Sequence, residues 1–335
     1  MSLLKRFRVQ FMLVLLCVGI LATSGSLAKQ KPYDSILVFG GSLSDPGNAF
    51  VILSDPSDFG FDESCTPLTP MNVPPYDTLD FFFVPDGSYA TGGHHVTNGA
   101  TWIEQFARNT GLAGYTRPGL RNIGQKARNY AVGGARANDF PCRFNLSDQL
   151  DAFLSSGVRV SAETLVVFEM GGNDLRDVLI EAVPPSAIND ALNNIGDAIG
   201  MLYSMGARQF LLMNVPDIGR TPAAQILDDL YPGTADAASY LTEIFNQGLT
   251  VLQEQLNYYP DMDVRIFDAY ALLGSIVENP GDYGIEVTDT PCVTPNVAPY
   301  RCKDPDTYLF WDGLHPTKAV HRIMANAAAQ VLFAP

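Results

Sequence analysis

Ile36-Leu37-Val38-Phe39-Gly40-Gly41-Ser42 is an unbroken apolar run closed by a glycine pair and a serine. Apolar residues in succession, without polar alternation, predict a strand buried on both faces, as in a parallel sheet covered by helices. The glycines predict a tight turn at its carboxyl end, with Ser42 directly beyond. Three further runs repeat the pattern: Leu165 to Met170, closed by Gly171-Gly172-Asn173-Asp174; Phe210 to Met213, closed by Asn214-Val215-Pro216-Asp217; and Val264 to Phe267. Between them apolar residues recur every three or four positions, at Ile188, Leu192, Ile195, Ile199 and Leu202 and again at Leu241, Ile244, Phe245, Leu249, Leu252 and Leu256, as helical packing faces do. A last helix is expected to open at Pro316 and to turn Val320, Ile323, Met324, Ala327 and Val331 inward. The alternation continues from Ser35 without a linker, which predicts a single α/β domain over residues 29–335. Two irregular segments interrupt it, an insert at about 54–96 rich in proline and aromatics and a loop from Asn279 to Asp306, and each is a candidate pocket wall.

In an open parallel sheet, ligands collect beyond the carboxyl ends of the strands, so Ser42 and Asn173 are expected at one mouth. A serine hydroxyl is a weak nucleophile at neutral pH and needs a base within hydrogen-bonding reach. Four histidines are available. His94 and His95 fall in the irregular insert, and His321 is expected on the surface of the last helix. His315 differs, because Asp312 precedes it by three residues across Gly313. In a turn that tight the carboxylate can hold the nearer imidazole nitrogen and leave the other for the serine. Donors for a developing oxyanion are sought in the Ser42 amide, the Asn173 side chain and a glycine amide of Asn129-Tyr130-Ala131-Val132-Gly133-Gly134-Ala135.

The amino terminus carries Lys5, Arg6 and Arg8, an uncharged run from Phe11 to Ala22, and the small residues Ser24-Gly25-Ser26-Leu27-Ala28, in the order of a cleavable export signal over residues 1–28. The run is too short for a membrane span, so no stable anchor is expected. The net charge is −15 before cleavage and becomes more negative after it, since the leader is purely basic. With no basic cluster elsewhere, nucleic acid is not an expected partner. Export places Cys65, Cys142, Cys292 and Cys302 in an oxidising compartment. The closeness of the last two predicts a Cys292–Cys302 disulfide and leaves Cys65 for Cys142. Their spacing does not match a zinc site.

Taken together, Phe39-Gly40-Gly41-Ser42-Leu43-Ser44-Asp45-Pro46-Gly47-Asn48, the glycine block ending at Gly134, Gly171-Gly172-Asn173-Asp174 and Asp312-Gly313-Leu314-His315-Pro316 resemble the four signature blocks of the GDSL, or SGNH, lipase/esterase family, in order. Asn214-Val215-Pro216-Asp217-Ile218-Gly219 and Thr97-Asn98-Gly99 with Trp102 resemble segments of its secreted bacterial lipase-like members. The resemblance implies a flavodoxin-like three-layer α/β/α sandwich and hydrolysis of small-molecule or lipid esters without metal or cofactor; a monomer is expected. It implies Ser42 as nucleophile, Asp312 orienting His315, and an oxyanion hole of Ser42, Gly134 and Asn173. Gly41 departs from the family, whose name expects aspartate there. No G-x-S-x-G elbow surrounds any serine, which argues against the α/β-hydrolase fold. Two other readings are compatible with the sequence: a lipid acyltransferase on the same scaffold, and a secreted binding protein that has lost its chemistry.

Overall fold

All four apolar runs form strands of one parallel sheet in the computed structural model: β1 (Ser35–Gly40), β2 (Thr164–Glu169), β3 (Gln209–Met213) and β4 (Asp263–Phe267), adjacent in that order. The structure describes residues 33–54, 59–60, 95–121, 126–180, 182–294 and 301–333. The leader expected over 1–28, most of the insert at 54–96, His94 and Cys65 lie outside them. Tyr33–Pro335 forms one compact unit.

A further edge was not foreseen in the sequence. Residues 127–132 run beside the free edge of β1, where Val38 N donates to Arg128 O at 2.9 Å, Tyr130 N to Val38 O at 2.8 Å and Val132 N to Gly40 O at 3.0 Å. The second extended segment in the chain therefore lies on one side of β1 and the third on the other. Chain progression reverses at β1, which makes its carboxyl end a topological switch point where a crevice must open.

Alternate strand residues point to opposite faces and meet two separate cores. Leu37, Phe39, Val166, Phe168, Phe210, Leu212 and Val264 face one core, completed by Phe153 of α3 (Leu146–Ser155), Leu175 of α4 (Gly172–Leu179), Ile195 of α5 (Ala187–Ser204) and Phe245 of α7 (Thr234–Leu256). Ile36, Val38, Leu165, Val167, Leu211, Met213 and Phe267 face the other, completed by Trp102 and Phe106 of α2 (Trp102–Thr110), Ile276 of α8 (Ala269–Glu278) and Met324 of α9 (Lys318–Phe333). This is the expected three-layer sandwich. Two shorter helices stand near the carboxyl ends of strands, α1 (Asn48–Ser54) and α6 (Pro222–Leu230). Among the described residues no helix is long and apolar enough to cross a membrane.

The last helix begins at Lys318, two residues later than the proline suggested, because Pro316 pairs with Phe310 and stays extended. Val320 and Met324 are buried as expected, whereas Ile323, Ala327 and Val331 are only partly so. Ala325, Ala328 and Leu332 complete the buried stripe, which is turned toward α2. His321 is buried too, not on the surface. Its Nδ1 accepts the Trp102 amide at 3.1 Å, and burial pushes the ring down to about 3, so it is neutral and ties α2 to α9.

Asn48 fastens the segment that follows Ser42 to the edge. Its Nδ2 donates to Asn129 O at 2.8 Å and Ala131 O at 2.9 Å, in full burial. Asn48→Ala would leave the Ala131 carbonyl and the Leu120 amide without a partner, while Asn129 O keeps the Gly119 amide, and a loss of about 3 kcal/mol in denaturant-measured stability is expected.

Candidate active site

Ser42, Asp312 and His315 come together from opposite ends of the chain. Ser42 Oγ lies 2.9 Å from His315 Nε2, and His315 Nδ1 lies 2.8 Å from Asp312 Oδ2. The other Asp312 oxygen accepts the amides of Leu314 and His315, both at 2.7 Å. The tight turn thus uses one carboxylate twice, to fix its own backbone and to orient the ring. Asp312 is fully buried, while His315 keeps some exposure toward Ser42.

The histidine loop is held on every side. Trp311 N donates to His315 O at 2.7 Å and closes the turn, and Ala223 N of α6 donates to Gly313 O at 3.0 Å. Thr97 Oγ1 donates to Pro316 O at 2.7 Å, and Asn98 Oδ1 accepts the Lys318 amide at 2.6 Å. Behind it stands the expected Cys292–Cys302 disulfide. Cys292 N and Val293 N donate to Phe310 O and Trp311 O at 3.0 and 2.8 Å, so the bridge braces the segment entering Asp312. Cys142 is also disulfide-bonded.

The oxyanion candidates separate by what their donors already do. The Gly133 amide is committed to Asp45 Oδ2 at 2.8 Å, whereas among the described residues the amides of Gly134 and Ser42 donate to nothing. Asn173 Nδ2 gives one hydrogen to Ala135 O at 2.9 Å and retains another. Gly134, in the left-handed region at φ 83°, is therefore better placed to donate than Gly133. Gly171 permits the turn into Asn173. Its φ is 114°, and a Cβ there would lie 2.4 Å from the Phe245 ring.

Several supporting residues carried no sequence signal of their own. Gln149 of α3 pairs both ways with Gly40, Nε2 donating to its carbonyl at 2.9 Å and Oε1 accepting its amide at 3.0 Å. Asp174 accepts the amides of Ala137 and Asn138, both at 3.0 Å, and burial pushes its carboxyl up to about 6. Glu169 addresses the departure at position 41. Its Oε2 accepts the Gly41 amide at 3.1 Å, and a Cβ built on Gly41 would lie 3.5 Å from Glu169 Oε1 and 3.5 Å from Asn173 Nδ2. A carboxyl from β2 thus fills the space into which a side chain at 41 would project.

A cavity of about 170 Å³ opens beside Ser42 and His315. Leu227, Leu272, Leu273, Ile276, Phe310 and Met324 supply an apolar wall, and Arg176 of α4 also lines the cavity. Among the described residues no group of three or more His, Cys, Asp or Glu is arranged to hold a metal ion. Chemically, the arrangement can draw a proton from Ser42 through an oriented imidazole and offer amide hydrogens to a carbonyl oxygen beside it.

A family model described as GDSL-like Lipase/Acylhydrolase matches residues 36–328. The chain is 26% identical over 258 residues to GDSL esterase/lipase At1g71250 of Arabidopsis thaliana, an alignment spanning 71% of this chain and 66% of that relative. It is also 26% identical over 332 residues to GDSL esterase/lipase 5 of the same plant, across 87% of this chain and 81% of the relative. Among solved structures it is similar to a catalytic mutant of Axe2, an acetylxylan esterase from Geobacillus stearothermophilus, with a TM-score of 0.44 at 13% identity over 90% of this chain and 95% of that one.

Burial pushes the Glu169 carboxyl up to about 8, from an ordinary value of 4.5. The folded chain then holds a proton that the unfolded chain releases, so this group's contribution to stability is complete below pH 4.5 and lost as pH rises to about 8. Wild-type stability, measured against Glu169→Gln across that window, is expected to fall and then level off; parallel curves would contradict the assignment.

Proposed function

We propose, from the premise that this chain belongs to the GDSL-like lipase/acylhydrolase family and is a serine ester hydrolase, that it is exported and cleaves acyl esters through a covalent intermediate on Ser42. The unbroken Asp312–His315–Ser42 relay, at 2.8 and 2.9 Å, is the observation that carries this reading.

His315 Nε2 takes the Ser42 proton as Oγ attacks the acyl carbon. Asp312 holds the Nδ1–H tautomer and stabilises the imidazolium that results. The carbonyl oxygen, now negative, receives the amides of Ser42 and Gly134 and the second Nδ2 hydrogen of Asn173. Donors already in position cost no reorganisation when charge develops, and each contributes roughly a hundred- to a thousandfold in rate. The imidazolium then protonates the departing alcohol, leaving an acyl-Ser42 ester. Water, deprotonated by His315, attacks that ester and releases the acid.

The apolar wall of α6, α8 and α9 favours a hydrocarbon acyl group, since each methylene it removes from water contributes about 0.8 kcal/mol. Export is supported by the amino-terminal leader pattern and by the Cys292–Cys302 disulfide.

Purified mature protein assayed on p-nitrophenyl esters from acetyl to dodecanoyl should prefer medium chains. Ser42→Ala and His315→Ala are expected to lower kcat by about three orders of magnitude or more, and Asp312→Asn by two or more. Leu272→Trp should shift the preference toward acetyl by narrowing the wall. Hydrolysis unaffected by Ser42→Ala would refute the mechanism; a chain-length profile unchanged in Leu272→Trp would refute the acyl placement.

A further inference from the structure

Three guanidinium groups gather beside the proposed oxyanion hole of a chain whose net charge is −15. A Cβ built on Gly134 would lie 3.7 Å from Arg143 Cδ and 3.9 Å from Arg136 Nη1. Arg136 is bound at both ends of its fork by Asp177, with Nε to Oδ2 at 2.6 Å and Nη2 to Oδ1 at 2.9 Å, and is fully buried. It serves the fold. Arg176 shares the same carboxylate as a second claimant, Nη2 to Asp177 Oδ1 at 3.1 Å, and this is its side chain's only hydrogen bond among the described residues.

Among the described residues two acids of this cluster, Asp177 and Asp174, face three guanidiniums, and Asp174 already accepts two backbone amides. The crowding is felt by Arg143, which burial and the charges of Arg136 and Arg176 push down to about 10. Arg176 is the member of the cluster that lines the substrate cavity, with its side chain 30% exposed. It stands three residues after Asn173 on α4, and residues at that spacing share a helix face. Its side chain therefore enters the cavity lining from α4, the helix that carries Asn173, whereas most of the apolar wall is built by α6, α8 and α9, with Leu179 of α4 adding to it.

We infer that Arg176 marks a subsite for an anionic group, a carboxylate or a phosphate, carried on the alcohol side of the ester. The inference rests on the esterase reading and deepens it: the substrate has an apolar acyl group and a negatively charged alcohol portion. A planar guanidinium with unused donors matches either anion in bidentate fashion, and partial burial strengthens such a pair. An acidic protein otherwise repels anionic substrates, so a local excess of positive charge at the cavity selects for them at close range.

The test uses three butanoate esters that share one acyl group, those of 4-hydroxybenzoate, 4-hydroxyphenyl phosphate and 4-hydroxybenzamide. Each kcat/KM is divided by the ester's rate of hydroxide hydrolysis to remove leaving-group differences. The wild-type protein should favour a charged ester over the neutral amide by about tenfold, the size of one charge-assisted pair open to water. In Arg176→Gln that ratio should fall to about one, and in Arg176→Lys it should be intermediate. Preference for only one of the two charged esters identifies the anion. A wild-type ratio near one, or a ratio unchanged in Arg176→Gln, overturns the subsite; the second result would mean that Arg176 serves all esters alike. Failure to hydrolyse even the neutral ester would strike the esterase reading instead. The subsite would then be read by calorimetric binding of 4-hydroxybenzoate to wild type and Arg176→Gln, where equal affinity overturns it.

Discussion

The carboxylate of Asp45 accepts four backbone amides, those of Gly47 and Asn48 on one oxygen and of Ala49 and Gly133 on the other, at 2.6 to 3.1 Å. The turn that presents Ser42 and the glycine turn that presents Gly134 are therefore fixed to one buried group. Asn48 and Asn129 extend the fastening, the latter donating from Nδ2 to Ser44 O at 2.8 Å. Burial pushes the Asp45 carboxyl upward, which its four amide donors oppose. Such a group is costly to desolvate and costly to lose, since its removal would strand several buried donors at once.

From this anchor the geometry of the mouth follows. With β1 at the switch point, one neighbour brings the glycine block and the other brings Asn173, and both converge on the serine after β1. The histidine loop is added from the far end of the chain by contacts that Thr97, Asn98, Ala223 and the Cys292–Cys302 disulfide supply. Glu169 completes the floor beneath Gly41, the position at which the family name expects an aspartate. The Glu169 carboxyl from the neighbouring strand end lies against the glycine at 41, 3.5 Å from where a Cβ there would stand.

Much of this could be read from residues alone, for stated reasons. Fully buried parallel strands have no polar face, so their runs stand out, and Asp312-Gly313-Leu314-His315 is a local turn whose spacing dictates its own hydrogen bonds. The segment at 127–132 leaves no strand pattern in the sequence, because it pairs by only a few backbone bonds around Arg128 and Asn129, polar residues that break an apolar run. The burial of His321 is not legible locally, because a lone histidine in a helix carries no sign of its partner; the Trp102 amide that it accepts comes from 219 residues away. Glu169 and Gln149 act through contacts with distant backbone, which no local pattern encodes, and of the four amides that Asp45 accepts only that of Gly133 is distant. The choice of Gly134 over Gly133 rested on resemblance and gains support from the Asp45 bond that occupies the Gly133 amide.

The most direct test of Ser42 as the nucleophile is reaction of the mature, disulfide-intact protein with a fluorophosphonate, followed by mass spectrometry of its peptides. A stoichiometric adduct confined to the peptide containing Ser42, formed faster in wild type than in His315→Ala, is predicted. Correctly folded protein that takes up no reagent, or takes it up at another serine, would contradict the account.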